Sequence, residues 1–324
     1  MKAATRGALW NALGPLKPPV LAGKRWIDGL LAPRLSDRPV TFDDRGKGRD
    51  TLLIVLAGHK PALWPKVFPR VAAHTDEAAV DICVVCSGGA PAAEAARRLA
   101  GERGWSFMQA EEDLLAHAQN LAVGCFPRAE WIAKLDEDMF PTPGWLEGLR
   151  EAYARVEGGG RFRVGCVAPV IPVNGYGYRQ FLELTGALDE YTAAFPHHPP
   201  VSAGLDVGAS TAPEVAEWLW RHSRPLDERA RQLARFRGEY SLCPHRFSIG
   251  AFLMHRGAFD DMGGFAVAKW PGTLGHEETQ LCLWCMDQSR AIVVAHSSLV
   301  GHFAFGPQWA HMNTVLQREP ALFD

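Results

Sequence analysis

Apolar residues fall into short runs separated by stretches with helical character. Residues 51–57 (Thr-Leu-Leu-Ile-Val-Leu-Ala) are continuously apolar after the first position and stop at Gly58, the pattern of a strand buried on both faces. Pro61 opens a predicted helix over 61–74. A second strand is read at 80–86, closed by Ser87-Gly88-Gly89, and an alanine-rich helix at 91–103 begins with proline. A third strand at 105–109, a helix at 112–126 and a fourth strand at 131–135 continue the alternation. Strands alternating with helices through short connections predict an α/β fold with a mostly parallel sheet. Ligands in such sheets sit beyond the carboxyl ends of the strands.

The second half changes character. A helix is read at 141–149 and a strand at 164–173; residues 174–243 are then broken by Pro and Gly and carry two helical stretches, 214–222 and 227–237. Strand-like residues return at 247–255 and 291–294, with a helix at 277–286 between them. There is no internal repeat and no low-complexity segment.

Composition narrows the class. Among 324 residues, 47% are hydrophobic and 22% charged, which excludes a disordered chain, a collagen and a small disulfide scaffold. The net charge of −2 gives no global basic field, so no nucleic-acid partner is expected. No apolar run reaches the roughly 18 residues of a membrane span, and no secretory signal is read, so a cytoplasmic location is expected. Charge is uneven, however. Residues 1–50 carry ten Lys/Arg against five Asp/Glu, or +5, and the remainder carries 24 against 31, or −7. The basic N-terminal arm has two readings: peripheral contact with the inner face of a membrane through anionic lipid, or packing on the domain through Leu9, Trp10, Leu13, Trp26 and Leu30.

Seven cysteines include two Cys-x-x-Cys pairs, Cys83/Cys86 and Cys282/Cys285. Residues three apart on a strand point to opposite faces, so Cys83 and Cys86 are expected as buried thiols rather than zinc ligands.

The most informative stretch is Lys134-Leu135-Asp136-Glu137-Asp138-Met139-Phe140-Pro141, an Asp-x-Asp motif just after an apolar strand. Clustered carboxylates repel unless a cation or proton offsets them, and their oxygens suit Mn²⁺ or Mg²⁺. If the strand continues, Asp136 and Asp138 share a face opposite Glu137. Asp138 is then the direct metal ligand, and Asp136 meets either the metal or a sugar or ribose. The alternative is an acidic loop at a helix start. Downstream, Gly275-His276-Glu277-Glu278 opens the 277–286 helix, where a carboxylate can act as a general base or simply cap the helix. His302 follows the late strand and can complete a metal shell with Asp138, or sit structurally between phenylalanines. Gly58 and His59 after the first strand, with Ser87 and Gly88 after the second, are expected to border a nucleotide. Trp270, between Gly263-Gly264-Phe265 and Glu277, offers a ring face to a sugar, or belongs to the core. The arginines at 221, 224, 229, 231, 235 and 237 either hold an anionic acceptor or form a solvated helix face.

Taken in order, these elements resemble a GT-A-fold glycosyltransferase of the family-2 type, over about residues 50–305 apart from the 174–243 segment. Asn120 in the helix, Asp136-Glu137-Asp138, Gly263-Gly264-Phe265, Glu277-Glu278-Thr279-Gln280-Leu281 and His302 carry the resemblance. It implies transfer of a sugar from a nucleotide-diphosphate donor, a UDP-sugar being favoured, to a glycan or lipid-linked acceptor, with inversion and with Mn²⁺ or Mg²⁺. By resemblance Glu278 falls at the base position, with Glu277 beside it, and Asp138, His302 and Asp136 at metal positions. Gly58, His59, Ser87, Gly88, Asn120, Asp136 and Glu137 line the donor, and Gly264 and Trp270 the acceptor. The implied division is a basic extension (1–48), a nucleotide-sugar half (49–173), a mainly helical insertion (174–243), an acceptor and catalytic half (244–310) and a tail (311–324). The sequence departs from the family pattern at Cys86 and Ser87, where acids are usual, at Gln119 in place of Arg, and at Glu278 and Gln280 in place of Asp. A nucleotidyltransferase on a similar sheet and a non-catalytic nucleotide-sugar-binding relative are the competing readings; Gly58-His59-Lys60-Pro61 is a poor phosphate loop for the former.

Overall fold

The alternating runs build a single mixed sheet with helices packed on it. The computed structural model describes residues 35–201, 207–245, 250–273 and 275–324. Its strands are β1 (Thr41–Asp43), β2 (Thr51–Leu56), β3 (Val80–Cys86), β4 (Ser106–Gln109), β5 (Trp131–Leu135), β6 (Met139–Pro141), β7 (Arg163–Val170), β8 (Tyr240–Leu242), β9 (Ala251–His255) and β10 (Arg290–His302). They are ordered β1-β4-β3-β2-β5-β9-β7-β10-β6, with β8 paired to β10. Strands β2, β3, β4, β5, β7 and β10 run one way, and β1, β6, β8 and β9 the other.

The two central strands explain the unbroken apolar runs. Every residue of β2 and β3 is buried, because helices cover both faces of a parallel sheet. The one acid there, Asp81, is satisfied by the backbone N–H groups of Lys47 (2.7 Å) and Arg49 (2.8 Å). Cys83 and Cys86 lie in β3 as buried thiols, and none of the seven cysteines forms a disulfide.

The structure corrects the expectations where local pattern and pairing disagree. The strand through Trp131–Leu135 does not continue into the acids. Residues 136–138 form a turn, closed by the Met139 N–H donating to the Asp136 carbonyl at 3.0 Å, and β6 follows. The next helix is Trp145–Gly158, starting after Gly144 at φ 74°, rather than over 141–149. Strand β10 runs thirteen residues, well past 291–294. Its apolar pattern breaks at Ser297 and Ser298, where the register against β7 shifts between Ala295 and Leu299. The buried Ser298 hydroxyl is satisfied by the Trp145 carbonyl at 2.7 Å, so the strand survives its polar residue. That extension positions the site: Gly301 pairs with Phe140 and His302 with Met139, one residue beyond Asp138.

Residues 174–243 contain helices Gly177–Thr185, Leu188–Ala194, Gly208–Thr211, Pro213–His222 and Leu226–Leu233, then β8. At the C-terminus, helix Trp309–Arg318 and a short 3₁₀ turn at Pro320–Phe323 bury Met312, Val315, Leu322 and Phe323. Phe323 packs on Phe140, Trp220 and Phe303, directly behind the acidic turn. The apolar residues of the N-terminal arm and the 247–249 part of the strand expected over 247–255 lie outside the described residues; β9 begins at Ala251. Thr41–Asp43, within the segment read as peripheral, adds an edge strand against β4. Among the described residues no helix is long and apolar enough to cross a membrane.

Candidate active site

Strand β5 delivers the acidic turn to the edge where its carboxyl end meets those of β2 and β10. The turn is held by the Asp136 N–H donating to the Gly250 carbonyl at 2.9 Å. A Cβ at Gly250 would lie 2.8 Å from Met139 Sδ and 3.2 Å from Asp136 Oδ2, so any larger residue would have to displace those side chains. The three acids then point three ways. The Glu137 carboxylate accepts from the Gly58 N–H (3.2 Å), the His59 N–H (3.0 Å) and Trp64 Nε1 (2.9 Å), tying the turn to the exit of β2. Asp136 Oδ1 lies 2.9 Å from Lys134 Nζ, on the opposite side. Asp138 is 1% exposed, and its Oδ2 meets Lys60 Nζ at 2.5 Å and His302 Nε2 at 3.5 Å.

The tautomer of His302 follows from its other nitrogen. Nδ1 lies 2.7 Å from the Val173 carbonyl, which can only accept, so Nδ1 carries hydrogen. In the neutral ring, Nε2 therefore turns a lone pair toward Asp138 Oδ2, an arrangement that a proton or a cation between them makes favourable. Burial works against the charge on Asp138, but His302 and Lys60 outweigh it and hold the carboxyl well below the usual carboxylate range.

A second buried cluster adjoins the first. Lys134, inside β5 and 1% exposed, reaches Asp136 and also Glu278 Oε1 at 3.7 Å. Burial disfavours its charge, yet Asp136, Glu278 and Glu277 together raise its affinity for the proton. Asp136 is pushed up as well: burial, with the Glu278 and Asp138 charges, outweighs the pull of Lys134. Glu277 and Glu278 are both buried in the first turn of helix His276–Asp287, where the dipole favours anions. Asp136, Met139, Ile171, Asn174, Gly250, His302 and Phe305 line a cleft of about 210 Å³ open to solvent.

The remaining residues singled out in the sequence lie around this centre. Gly58 adopts φ 120°, and a Cβ there would come within 2.6 Å of Ala90; His59 beside it is exposed. Ser87 Oγ donates to Asp113 Oδ1 at 2.8 Å, and a Cβ at Gly88 would strike the Glu111 carbonyl at 1.8 Å. The Asn120 amide forms a two-point clamp on Phe265, donating to its carbonyl and accepting from its N–H, each at 2.8 Å. It thereby fixes the turn at Gly263 and Gly264, whose φ values are 77° and 81°. Trp270 is 64% exposed on the loop that follows, and that loop is tied back to the β3 edge by the Gly272 N–H donating to the Asp113 carbonyl at 2.9 Å. Several insertion arginines serve internal pairs: Arg221 with Glu217 and Glu319, Arg229 with the His222 carbonyl, Arg235 with the Leu184 carbonyl, and Arg237 with Glu151.

Sequence reasoning gave the Lys60 side chain no role beyond a poor phosphate loop, passed over Asp113 and left Lys134 unassigned. Lys60 had one available signal, a lysine two residues past the glycine that ends β2, and Lys134 another, its i−2 spacing from Asp136 on a strand.

Among the described residues no three His, Cys, Asp or Glu side chains group so as to hold a metal by themselves. Mg²⁺-like ions, however, usually take only one or two protein ligands and complete their shell with water and substrate phosphate. Asp138 Oδ2 and His302 Nε2 converge, Asp136 stands on the cleft wall beside them, and a carboxylate-imidazole set suits Mn²⁺. These residues fit such an ion, with Lys60 as the group against which it must compete.

No family model matches the chain, and no curated protein matches it. Solved structures do. A mannosyltransferase from Pyrobaculum calidifontis, in complex with GDP-Man and Mn²⁺, is 14% identical over 98% of this chain and 75% of its own, with a TM-score of 0.44. GalNAc-T7 with UDP, GalNAc and Mn²⁺ is 13% identical over 83% of this chain, which spans 48% of that protein, at a TM-score of 0.46. The third is glucosyl-3-phosphoglycerate synthase from Mycobacterium tuberculosis in complex with Mn²⁺, uridine diphosphate and phosphoglyceric acid. It is 14% identical over 85% of this chain and 80% of its own, at a TM-score of 0.43.

Proposed function

We propose that the chain is a metal-dependent glycosyltransferase of GT-A type, moving a sugar from a nucleotide-diphosphate donor, a UDP-sugar being favoured, to a hydroxyl of a glycan or lipid-linked acceptor. One observation carries the reading: a buried aspartate and a histidine with fixed tautomer converge at the edge of a solvent-open cleft, at the carboxyl ends of a largely parallel sheet. A bound Mn²⁺ or Mg²⁺ supplies neutralisation of the charge that builds on the diphosphate leaving group.

The chain's own residues do the rest. Asp138 and His302 hold the ion, with Asp136 alongside at the cleft wall. Gly58 and His59, locked by Glu137, and Ser87 and Gly88, packed on 111–113, border the nucleotide. Glu278 takes the proton of the acceptor hydroxyl as its oxygen attacks the anomeric carbon from the face opposite the departing diphosphate, which inverts the centre. Lys134 steadies Glu278 and Asp136 at one end of this cluster. Trp270, on the loop whose preceding turn is fixed by Asn120 through Phe265, offers the acceptor ring an apolar face.

The Lys60–Asp138 pair favours a second reading, a nucleotide-sugar-binding relative without catalysis, because the carboxylate already has a cation. The test is turnover of a panel of nucleotide sugars with Mn²⁺, run with Asp138→Ala and Glu278→Gln. Transfer or donor hydrolysis lost in both variants supports the enzyme. Donor binding without turnover in any chain supports the second reading. Turnover of nucleoside triphosphates alone points to a nucleotidyltransferase.

A further inference from the structure

Lys60 is the one group at the centre that neither the pattern of the sequence nor the proposed reaction uses. Its ammonium lies 2.5 Å from Asp138 Oδ2, the same oxygen that faces His302 Nε2. Asp138 itself is nearly inaccessible, whereas the Lys60 side chain keeps 35% of its surface, so its head can leave the carboxylate toward solvent. In the same position Nζ lies 5.1 Å from the centroid of the Trp309 ring on the C-terminal helix, a cation–π contact made together with the pair to Asp138. Lysine suits such a role: it is a compact charge on a flexible stem. Its backbone is fixed at the exit of β2, where the Gly58 and His59 N–H groups are pinned by Glu137 and Pro61 begins the next turn.

A divalent ion at Asp138 Oδ2 and an ammonium 2.5 Å from the same oxygen repel each other, so each weakens the other's hold there. We propose that Lys60 competes with the divalent ion for Asp138. An arriving divalent ion displaces it from Asp138, and the ammonium then turns to the diphosphate of the donor. The inference rests on the metal-dependent reading above and adds to it a competition built into the chain. The metal affinity of the empty protein is set low, and metal binding is strengthened when a diphosphate arrives to receive the ammonium. Metal and nucleotide binding are thereby coupled through one side chain, and such coupling is reciprocal.

The experiment titrates Mn²⁺ alone, then UDP at saturating Mn²⁺, by calorimetry and by the electron-spin resonance of free Mn²⁺. It uses the full chain, Lys60→Met, Lys60→Gln and the surface control Lys66→Gln. The expected result is that Mn²⁺ alone binds Lys60→Met and Lys60→Gln at least about tenfold more tightly than the full chain. UDP in the presence of Mn²⁺ binds them several-fold more weakly, and Lys66→Gln matches the full chain in both. If loss of Lys60 destabilises the fold, Mn²⁺ restores more melting temperature to these variants than to the unmodified chain, since binding to the folded state raises apparent stability. Mn²⁺ binding that is unchanged or weaker in both Lys60 variants, or equal restoration of melting temperature, overturns the inference and leaves the metal site standing. No Mn²⁺ binding by any chain, with or without UDP, overturns the metal reading itself and the inference with it.

Discussion

Glu137→Gln separates a structural carboxylate from a ligand contact. In the native chain the two carboxylate oxygens receive Gly58 N–H at 3.2 Å, His59 N–H at 3.0 and 3.3 Å, and Trp64 Nε1–H at 2.9 Å, in a setting where Glu137 is 6% exposed. Glutamine has nearly the same shape but one acceptor oxygen and an amide that donates. It can keep Gly58 and Trp64, which share Oε2, or His59 at Oε1, and its NH₂ then faces the N–H on the other side. Hydrogen bonds to a charged acceptor contribute about 1.5–3 kcal/mol each, and an abandoned buried donor costs about 1–3 kcal/mol more. A net loss of about 3 kcal/mol follows, which at about 2 °C per kcal/mol for a domain of this size is a drop of about 6 °C in Tm. Thermal melts followed by circular dichroism at pH 7.5 read it directly. A variant melting within about 1 °C of the native chain refutes the reasoning. Unchanged melting together with weakened nucleotide binding would make Glu137 a donor contact rather than the brace of the β2 exit.

Three further outcomes follow from the same geometry. Lys134→Met leaves Asp136 and Glu278 facing each other without their buried cation, and loses about 3–5 kcal/mol in denaturant unfolding; an unchanged midpoint would contradict the buried pairing. Asn120→Ala removes both hydrogen bonds to Phe265, about 1 kcal/mol each, and the Phe265 amide then exchanges hydrogen faster, whereas equal protection would mean that the clamp does not hold the Gly263–Gly264 turn. At Glu217, burial opposes ionisation but hydrogen bonds from Arg221 and His311 outweigh it, so the folded carboxyl is more acidic than the unfolded one. Its stabilisation is therefore present above the unfolded value and disappears as pH falls through the folded one. The Tm deficit of Glu217→Gln at pH 7 accordingly shrinks below about pH 4, and a deficit that grows in acid would reverse the sign of the argument.

Much of the fold was legible because burial imposed pattern. The runs at 51–57, 80–86 and 131–135 are apolar apart from Thr51, Asp81 and Lys134, since helices cover both faces of the sheet, and each lies within a residue or so of its strand. Long-range pairing was not legible. Strand β6 is three residues long and forms only because the end of β10 lies beside it, and β10 continues through Ser298 on the strength of a hydrogen bond to Trp145. The closeness of Asp138 and His302 was anticipated on chemical grounds, but the strand extension that produces it was not. Strand alternation was expected to put Asp136 and Asp138 on one face opposite Glu137; the turn instead sends Glu137 to the β2 exit, Asp136 to Lys134 and Asp138 to Lys60 and His302. Lys60 and Lys134 show the remaining limit. A lysine in an apolar context gives no local sign of its partner, which here lies 78 residues away for Lys60 and, in Glu278, on another helix for Lys134.

The central claim is that Asp138 and His302 together hold a divalent ion that anchors a diphosphate. Calorimetric titration of UDP with and without Mn²⁺, on the native chain and on Asp138→Asn and His302→Gln, tests it without requiring the sugar or acceptor to be known. The account predicts that Mn²⁺ strengthens UDP binding at least about tenfold in the native chain and that either substitution abolishes most of that gain, about 1.4 kcal/mol or more. UDP binding that is equally strengthened by Mn²⁺ in all three chains would contradict it.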